Sequence, residues 1–229
     1  MDSDFRFSLP ETVPGMTLPD VVLFPQATIP LFIFEPRYRK MLETVLQGDR
    51  LMLVATQDQK RAKAGDGFEP YHPNATLGLV QSSQKNPDGT SSILVQGLLR
   101  VTAETTFQED PYRVFGICPV ESEPGASAEE LRRKSDHLMA LVRRRSELGS
   151  EVSREMLRFF ERIDEPEVLA DLVSYTLLDE TAAKLRLLGT SEVSARMEAL
   201  LRILREEIRE RELISKLKGG LGDDRISWN

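Results

Sequence analysis

The sequence is short of the side chains that most often carry out chemistry. It has one cysteine, Cys118, and two histidines, His72 and His137, which lie far apart in the chain. One cysteine excludes a disulfide within the chain, and two separated histidines offer neither a metal cluster nor a nucleophile–base pair. We therefore assign no catalytic, metal-binding or cofactor-binding residue and expect no cofactor. Cys118 lies in an apolar, strand-like segment and is expected to be buried.

The sequence also lacks a net positive charge and long apolar runs. The formal net charge is −7, with 40% apolar and 29% charged residues. This acidic balance argues against binding to nucleic acid or to an anionic membrane surface, because both need a basic surface. No apolar run approaches the length of a membrane span, and the start of the chain lacks the apolar core of a secretory signal. We expect a cytoplasmic protein without nucleic-acid or membrane partners.

The densest apolar region, residues 18–46, changes its period halfway along. Residues 21–24 and 29–34 are rich in β-branched and aromatic side chains and are bounded by prolines, which predicts short strands at an edge or seam of a sheet. After Pro36 the spacing becomes helical, with one apolar stripe formed by Tyr38, Met41, Leu42, Val45 and Leu46. Pro36 suits the first helical turn, and Gly48 suits a left-handed cap at the end.

The rest of the chain falls into a strand-rich part and a helix-rich part. Short apolar runs predict strands at 51–56, 75–80, 92–101 and 112–120, separated by a polar loop over 57–74 and a turn over 84–89. Ser127 and Glu130 then form a capping box, and helical spacing continues to residue 217. The predicted divisions are an N-terminal arm (1–16), a β-rich subdomain (17–121), a linker (122–127), a helical subdomain (128–217) and a flexible tail (218–229).

Three blocks of this sequence resemble the N-terminal, substrate-binding (LON) domain of Lon protease, and the resemblance covers residues 17–215. The first block is Leu23-Phe24-Pro25, Pro30-Leu31 and Phe34-Glu35-Pro36-Arg37-Tyr38. The second consists of Gly78, the turn Pro87-Asp88-Gly89, and Gly97-Leu98-Leu99-Arg100. The third is the helix start Glu165-Pro166-Glu167-Val168-Leu169-Ala170-Asp171.

The resemblance implies a fold of the α+β class. In this family a PUA-like, twisted six-stranded pseudo-barrel sheet with one helix precedes a helical bundle whose last helix is long. The signature residues are expected to serve the fold as core, cap and close-contact positions rather than to bind a ligand: Phe34, Glu35, Pro36, Arg37, Tyr38, Gly78 and Gly97.

The resemblance also implies a stand-alone, noncatalytic module that binds exposed apolar or unfolded polypeptide. The 229 residues contain no phosphate-binding loop, since the glycine-rich segment 218–222 lacks the Lys-Ser/Thr pair, and no stretch after residue 215 can hold a Ser-Lys protease domain. A peptide-binding surface needs exposed apolar side chains. The candidate contacts are the aromatic residues Phe24, Phe32, Phe68 and Tyr71.

Two alternatives from other classes stay open. PUA-like sheets in other families bind RNA, and a salt-titrated RNA-binding assay tests that function. A small-molecule enzyme is the second alternative, which a pocket with convergent polar groups would favour. The identity of the client, the oligomeric state and docking on a separate ATPase are not decided by the sequence.

Overall fold

The computed structural model describes residues 9–65, 67–149 and 152–220, except for the side chains of residues 218–220. These residues form two compact units. The sheet unit takes in the described residues up to Glu121 together with Leu178–Gly189. The helical unit takes in Ser122–Leu177 and the described residues from Thr190 onward.

Strands and helices follow the order that the periodicity indicates for most of the chain. The strands are β1 (Thr12–Leu18), β2 (Thr28–Ile33), β3 (Leu51–Thr56), β4 (Asn74–Lys85), β5 (Ser91–Gln108) and β6 (Arg113–Pro119). The helices are α1 (Pro36–Gln47), α2 (Gln59–Lys63), α3 (Ala128–Glu147), α4 (Arg154–Phe160), α5 (Pro166–Leu177), α6 (Thr181–Leu188) and α7 (Val193–Gly220). The α+β class, the six strands and the long last helix are as predicted. The single predicted helix of the sheet unit, α1, is joined there by α2 and α6.

The six strands form one sheet that closes on itself. Their order is β2-β5-β4-β3-β1-β6, and a further pairing joins β5 to β6. Only β1 and β3 run parallel among these pairings. The long β5 makes the closure possible, since residues 91–102 pair with β4 and residues 101–108 pair with β6. β2 pairs with β5 alone among the described strands and is therefore an edge strand.

The interior of the ring holds the apolar core of the sheet unit. Inward-facing side chains alternate along the strands, as expected when one face of a sheet is buried. The cluster consists of Val13, Leu51, Leu53, Ala55, Ala75, Leu77, Val101, Ala103 and Phe115. The signature residue Gly78 lies where β4 crosses β5. A Cβ there would come within 2.6 Å of the Val95 Cγ1 atom, so the close approach of the strands requires glycine.

Some local predictions for the first half are wrong. The arm predicted over 1–16 contains β1 from Thr12 onward, while residues 1–8 lie outside the described residues. Residues 22–24 are buried, but 21–24 form no strand, because the flanking prolines and the positive φ of Asp20 favour an irregular turn. Gly48 caps α1 with a φ of −103°, which is not left-handed. Cys118 is exposed near the end of β6.

The helical unit begins as the capping pattern predicts. The Ser127 hydroxyl accepts a hydrogen bond from the Glu130 backbone N–H at 3.2 Å, which caps α3. Helix α7 runs from Val193 to Gly220, a little beyond the predicted end at residue 217. Residues 221–229, the rest of the predicted tail, lie outside the described residues.

The segment around α6 differs from the predicted division of the chain. We assigned it to the helical subdomain by its period, whereas Leu178–Gly189 groups with the sheet unit. The Arg100 Nε–H donates to the Leu188 carbonyl oxygen at 3.2 Å, and Gly189 lies against the Asn74 side chain. A helical period reports which face is buried and does not report the partner that buries it.

Candidate functional site

Two aromatic side chains project at the end of the edge strand, Phe32 within β2 and Phe34 one residue after it. Phe32 is 56% exposed and Phe34 is 57% exposed, and their rings stack with centroids 6.2 Å apart. Residues two apart in an extended chain face the same side, so Pro30, which is also exposed, precedes them on one line. We call Pro30, Phe32 and Phe34 the edge-strand patch. The placement of Phe34 corrects its predicted structural role, because its ring is not in the core.

The neighbouring signature residues hold the start of α1. Pro36 occupies the first helical turn after Glu35, as predicted. Arg37 donates from Nε to the Glu35 carboxylate at 2.8 Å and from both terminal nitrogens to Glu69 at 2.9 and 2.7 Å. The Arg37 guanidinium carbon also lies 4.4 Å from the centre of the buried Tyr38 ring. Hydrogen bonds to Glu69 raise the pKa of Arg37 against the opposing effect of burial.

Phe68 is a second exposed aromatic, 64% exposed, on the loop between α2 and β4. The Arg37 and Arg113 guanidinium carbons lie 5.8 and 5.3 Å from its ring centre, within the range of cation–π attraction. Arg113 is buried and donates to the Phe68 and Glu69 carbonyl oxygens and to Thr17 Oγ1. Two arginines therefore fix the direction of the Phe68 ring.

The backbone at Glu69 has a φ of +43°. A non-glycine residue in this region costs on the order of 1–3 kcal/mol and persists only where the surrounding structure determines it. Arg113 binds the Glu69 carbonyl oxygen at 2.6 Å, and Arg37 binds the Glu69 carboxylate. These contacts account for the strained conformation, which places Phe68 at the surface.

Replacing Arg113 with lysine is expected to release this loop. A lysine ammonium cannot reproduce the fork of donors that reaches Phe68, Glu69, Thr17 and Glu109. We expect faster amide hydrogen exchange over residues 67–71 and a loss of stability of about 2–3 kcal/mol. Arg39→Lys is the matched control, because Arg39 is more exposed and makes one such bond, to the Phe34 carbonyl oxygen. Equal exchange rates in R113K and the unmodified chain would refute the role of Arg113.

The two remaining predicted contacts lie elsewhere. Phe24 is 0% exposed and its carbonyl abuts Gly97, so the prediction that it contacts a polypeptide is wrong. Tyr71 is half-buried, meets the Phe115 ring edge-on with centroids 5.1 Å apart, and exchanges a hydrogen bond with Thr106. Its main contacts are therefore with the core. Apolar, β-rich sequence around Phe24 does not distinguish a buried ring from an exposed one.

The helical unit contains a hydrogen-bonded serine–lysine pair, and some proteases use such a pair for catalysis. The Lys134 Nζ donates to the Ser194 hydroxyl at 2.6 Å and to Glu198 at 2.6 Å. Burial lowers the pKa of Lys134, but hydrogen bonds and charge from Glu198 and Glu130 outweigh it and raise the pKa. The same contact lowers the pKa of Glu198. Lys134 therefore forms ion pairs with Glu130 and Glu198 that favour its charged form.

The described residues were also compared with the requirements of a metal site and of a membrane span. Searched over the ranges the structure describes, the histidine, cysteine, aspartate and glutamate side chains form no group of three that could hold a metal ion. None of the described helices is both long and apolar enough to cross a membrane.

Solved structures share the fold of this chain. The N-terminal domain of a Lon protease from the Mycobacterium avium complex matches with a TM-score of 0.62 and 20% identity, over 86% of this chain and 98% of that domain. A Lon N-terminal domain protein from Xanthomonas campestris matches with a TM-score of 0.61 and 21% identity, over 83% of this chain and 97% of that protein. At these identities the likeness defines the class of fold.

Sequence comparison then defines the family. Residues 12–206 match the model of the ATP-dependent protease La (LON) substrate-binding domain, and the chain belongs to this family. It is 32% identical over 216 residues to a Lon protease of Xanthomonas oryzae pv. oryzae and 27% identical over 216 residues to one of Desulfosudis oleivorans. These alignments cover 93% and 94% of this chain but 25% and 26% of those proteases. The chain thus spans about a quarter of the length of these curated relatives.

Proposed function

We propose that this chain is a noncatalytic module that binds unfolded or exposed apolar polypeptide, and that the edge-strand patch makes the central contact. Membership of a substrate-binding domain family supports the ligand class. The observation that carries the proposal is the stacked, exposed pair of Phe32 and Phe34 on an edge strand. No ATPase or protease activity is assigned to these 229 residues.

Exposed aromatic pairs suit this ligand class energetically. Phe side chains bury roughly 150–250 Å² each when covered, and aromatic residues are frequent binding hot spots. The two rings are already stacked, so covering them costs little ordering of side chains. An unfolded client supplies apolar side chains that are otherwise in contact with water, and burial of both surfaces drives association.

The backbone of β2 suggests the direction in which a client segment lies. An extended peptide can add to an exposed sheet edge by main-chain hydrogen bonds, with alternate side chains reaching the same face. Pro30 has no N–H, so it limits pairing at its own position and discourages uncontrolled growth of the sheet. We therefore place an extended client segment along Thr28–Ile33, with its apolar side chains against Phe32 and Phe34.

Phe68 supplies a second contact in this proposal. Its ring is held by Arg37 and Arg113, so little conformational freedom is lost when a client covers it. The three aromatic residues Phe32, Phe34 and Phe68 then offer separate apolar contacts, which suits clients that share apolar composition rather than one sequence.

The double substitution Phe32→Ser and Phe34→Ser tests the proposal. Fluorescently labelled casein serves as the unfolded polypeptide, and its dissociation constant is measured by anisotropy at low and physiological salt. Loss of a hot-spot aromatic costs about 2 kcal/mol or more, so binding is expected to weaken at least roughly thirty-fold. The melting temperature should stay near that of the unmodified chain, because both rings are exposed.

Phe159→Ser is the matched control, since Phe159 is 53% exposed but belongs to α4 of the helical unit. The affinity of the F159S variant for casein should equal that of the unmodified chain. The proposed function fails if the unmodified chain does not bind casein at either salt concentration. The assigned contact fails if F159S weakens binding as much as F32S/F34S does.

A further inference from the structure

The sheet unit contains a cavity of about 570 Å³ between α2 and α6. It lies apart in sequence from the edge-strand patch and shares no lining residue with it. Four separate stretches of the chain build it: the turn after β1, the segment around α2, the start of β4, and α6. Its lining residues are Asp20, Gln57, Asp58, Gln59, Lys60, Lys63, His72, Asn74, Thr181, Ala182, Leu185 and Arg186.

The walls of the cavity are held by specific contacts. On one side the Asp58 backbone N–H donates to the Pro70 carbonyl oxygen at 2.7 Å, which fixes the start of α2. On the other side the Arg100 side chain binds the Leu188 carbonyl oxygen and holds the end of α6. The cavity is therefore a built feature of the sheet unit rather than a gap between loose loops.

The charge of the lining is opposite to that of the chain. Three cationic side chains, Lys60, Lys63 and Arg186, and two carboxylates, Asp20 and Asp58, line the cavity, so the lining carries a formal charge of +1 with His72 neutral. The chain as a whole carries −7. A locally positive cavity on an acidic protein favours an anionic ligand.

Both carboxylates of the lining are already engaged by donors of the chain itself. The Asp20 carboxylate accepts a hydrogen bond from Gln59 Nε2 at 2.7 Å. Asp58 Oδ1 accepts the backbone N–H groups of Lys60 and Arg61 at 3.1 and 3.2 Å, and these bonds lower the pKa of Asp58. Lys60 and Lys63 are exposed side chains of the lining and are therefore accessible to a ligand in the cavity.

The lining also has an apolar side. Ala182 and Leu185 of α6 contribute it, with Thr181 and Asn74 as nearby hydrogen-bonding groups. A volume of about 570 Å³ falls within the range of roughly 300–1,000 Å³ that is usual for small-molecule sites. Apolar side chains on α6 together with the lysines of α2 fit a ligand that has an anionic end and an apolar body.

We infer that the cavity between α2 and α6 binds an organic carboxylate that has an apolar body. The carboxylate lies at Lys60 and Lys63, and the apolar body lies against Ala182 and Leu185. This chemistry has two sources, a free small carboxylate and the C-terminal residue of a polypeptide. The inference does not depend on the edge-strand patch.

Isothermal titration calorimetry with three probes tests it: N-acetyl-leucine, the peptide N-acetyl-Ala-Ala-Leu with a free carboxylate, and the same peptide as its amide. We expect a carboxylate probe to bind and the amide to bind at least tenfold more weakly. Equal binding of N-acetyl-leucine and the acid peptide indicates a free small carboxylate as ligand. Binding of the acid peptide alone indicates a polypeptide C-terminus.

Substitutions in the cavity lining test where the carboxylate probe binds. The double charge reversal K60E/K63E is expected to weaken binding of the carboxylate probe at least tenfold. A182W, which places an indole ring in the cavity, is expected to weaken this binding as well. The matched control is K40E/K85E, because Lys40 and Lys85 are exposed residues of the same unit outside the cavity. The inference is overturned if the acid and amide peptides bind equally, if no probe binds, or if K60E/K63E binds as well as K40E/K85E. Since K60E/K63E changes surface side chains, it stays informative if A182W does not fold.

Discussion

Replacing Arg196 with methionine is expected to destabilise the helical unit by about 3–5 kcal/mol, the usual cost of breaking a buried ion pair by removing one partner. Arg196 is fully buried. Its Nη1 lies 3.0 Å from the Asp171 carboxylate, which is also buried, and 3.2 Å from that of Glu167. The other donors reach Ser122 Oγ and the carbonyl oxygens of Thr190 and Ser191. The side chain thus connects α5, α7 and the first residue of the unit.

Urea unfolding followed by far-UV circular dichroism measures this loss. R209M is the matched control, because Arg209 lies exposed on the same helix, and it should change stability by less than about 0.5 kcal/mol. The double variant R196M/D171L should recover part of the loss, since an apolar pair of similar volume often replaces a buried ion pair well. An R196M protein as stable as R209M would show that the buried pair contributes nothing.

Gly97→Ala is expected to destabilise the sheet unit by about 3 kcal/mol, at the upper end of the usual cost of overpacking. A Cβ at this position would lie 2.1 Å from the Phe24 carbonyl oxygen and 2.9 Å from its carbon. Backbone atoms cannot rotate away as a side chain can. The Gly97 N–H also donates to the Ala27 carbonyl oxygen, and the Gln26 N–H donates to the Gly97 oxygen, both at 2.8 Å. Moving the loop therefore breaks two hydrogen bonds.

Gly48→Ala is the control for this prediction. The nearest atom to a Cβ at Gly48 is 3.7 Å away and its φ is negative, so alanine fits without strain. Thermal unfolding of the two variants should separate them clearly, with G97A melting lower and G48A close to the unmodified chain. If G97A and G48A had the same melting temperature, the close approach of Phe24 to β5 would not require glycine.

The sequence predicts local structure best where a residue type has one main physical role. Pro36 at the first turn of α1 and Ser127 at the cap of α3 are found where predicted. Backbone N–H groups at the start of a helix have no partner within the helix. Pro36 has no N–H that needs one, and the Ser127 side chain accepts one such N–H. Strands β2 to β6 and the long last helix likewise lie where the apolar period predicts them, whereas β1 does not. Gly97 was expected to serve the fold, and its contact with Phe24 supplies the reason.

Predictions fail where long-range packing decides. Charge alone would place the three arginines 143–145 on a solvated helix face, yet Arg145 is buried and lies 2.9 Å from Glu207. It follows the buried Val142 by three positions, so the helical period was the available signal. Asp171 similarly stands among the buried apolar residues of α5. A carboxylate in that position indicates a buried cationic partner.

The candidate site was predicted in part. Their aromatic side chains made Phe32, Phe68 and Phe24 candidate polypeptide contacts. Phe32 and Phe68 are exposed, whereas Phe24 is buried. Phe34 was missed because a signature residue next to a helix start was expected to lie in the core. Phe34 stands two residues after Phe32, so the alternation of an extended chain was the available signal. The cavity between α2 and α6 was not foreseeable, since residues so far apart in sequence line it.

Amide hydrogen exchange of the chain, alone and saturated with casein, tests the central claim most directly. Binding along the edge strand predicts slower exchange over residues 28–34 in the complex, and this protection should disappear in F32S/F34S at the same casein concentration. Saturation with casein that left residues 28–34 unchanged, with protection confined to α3–α5 or α7, would contradict the account.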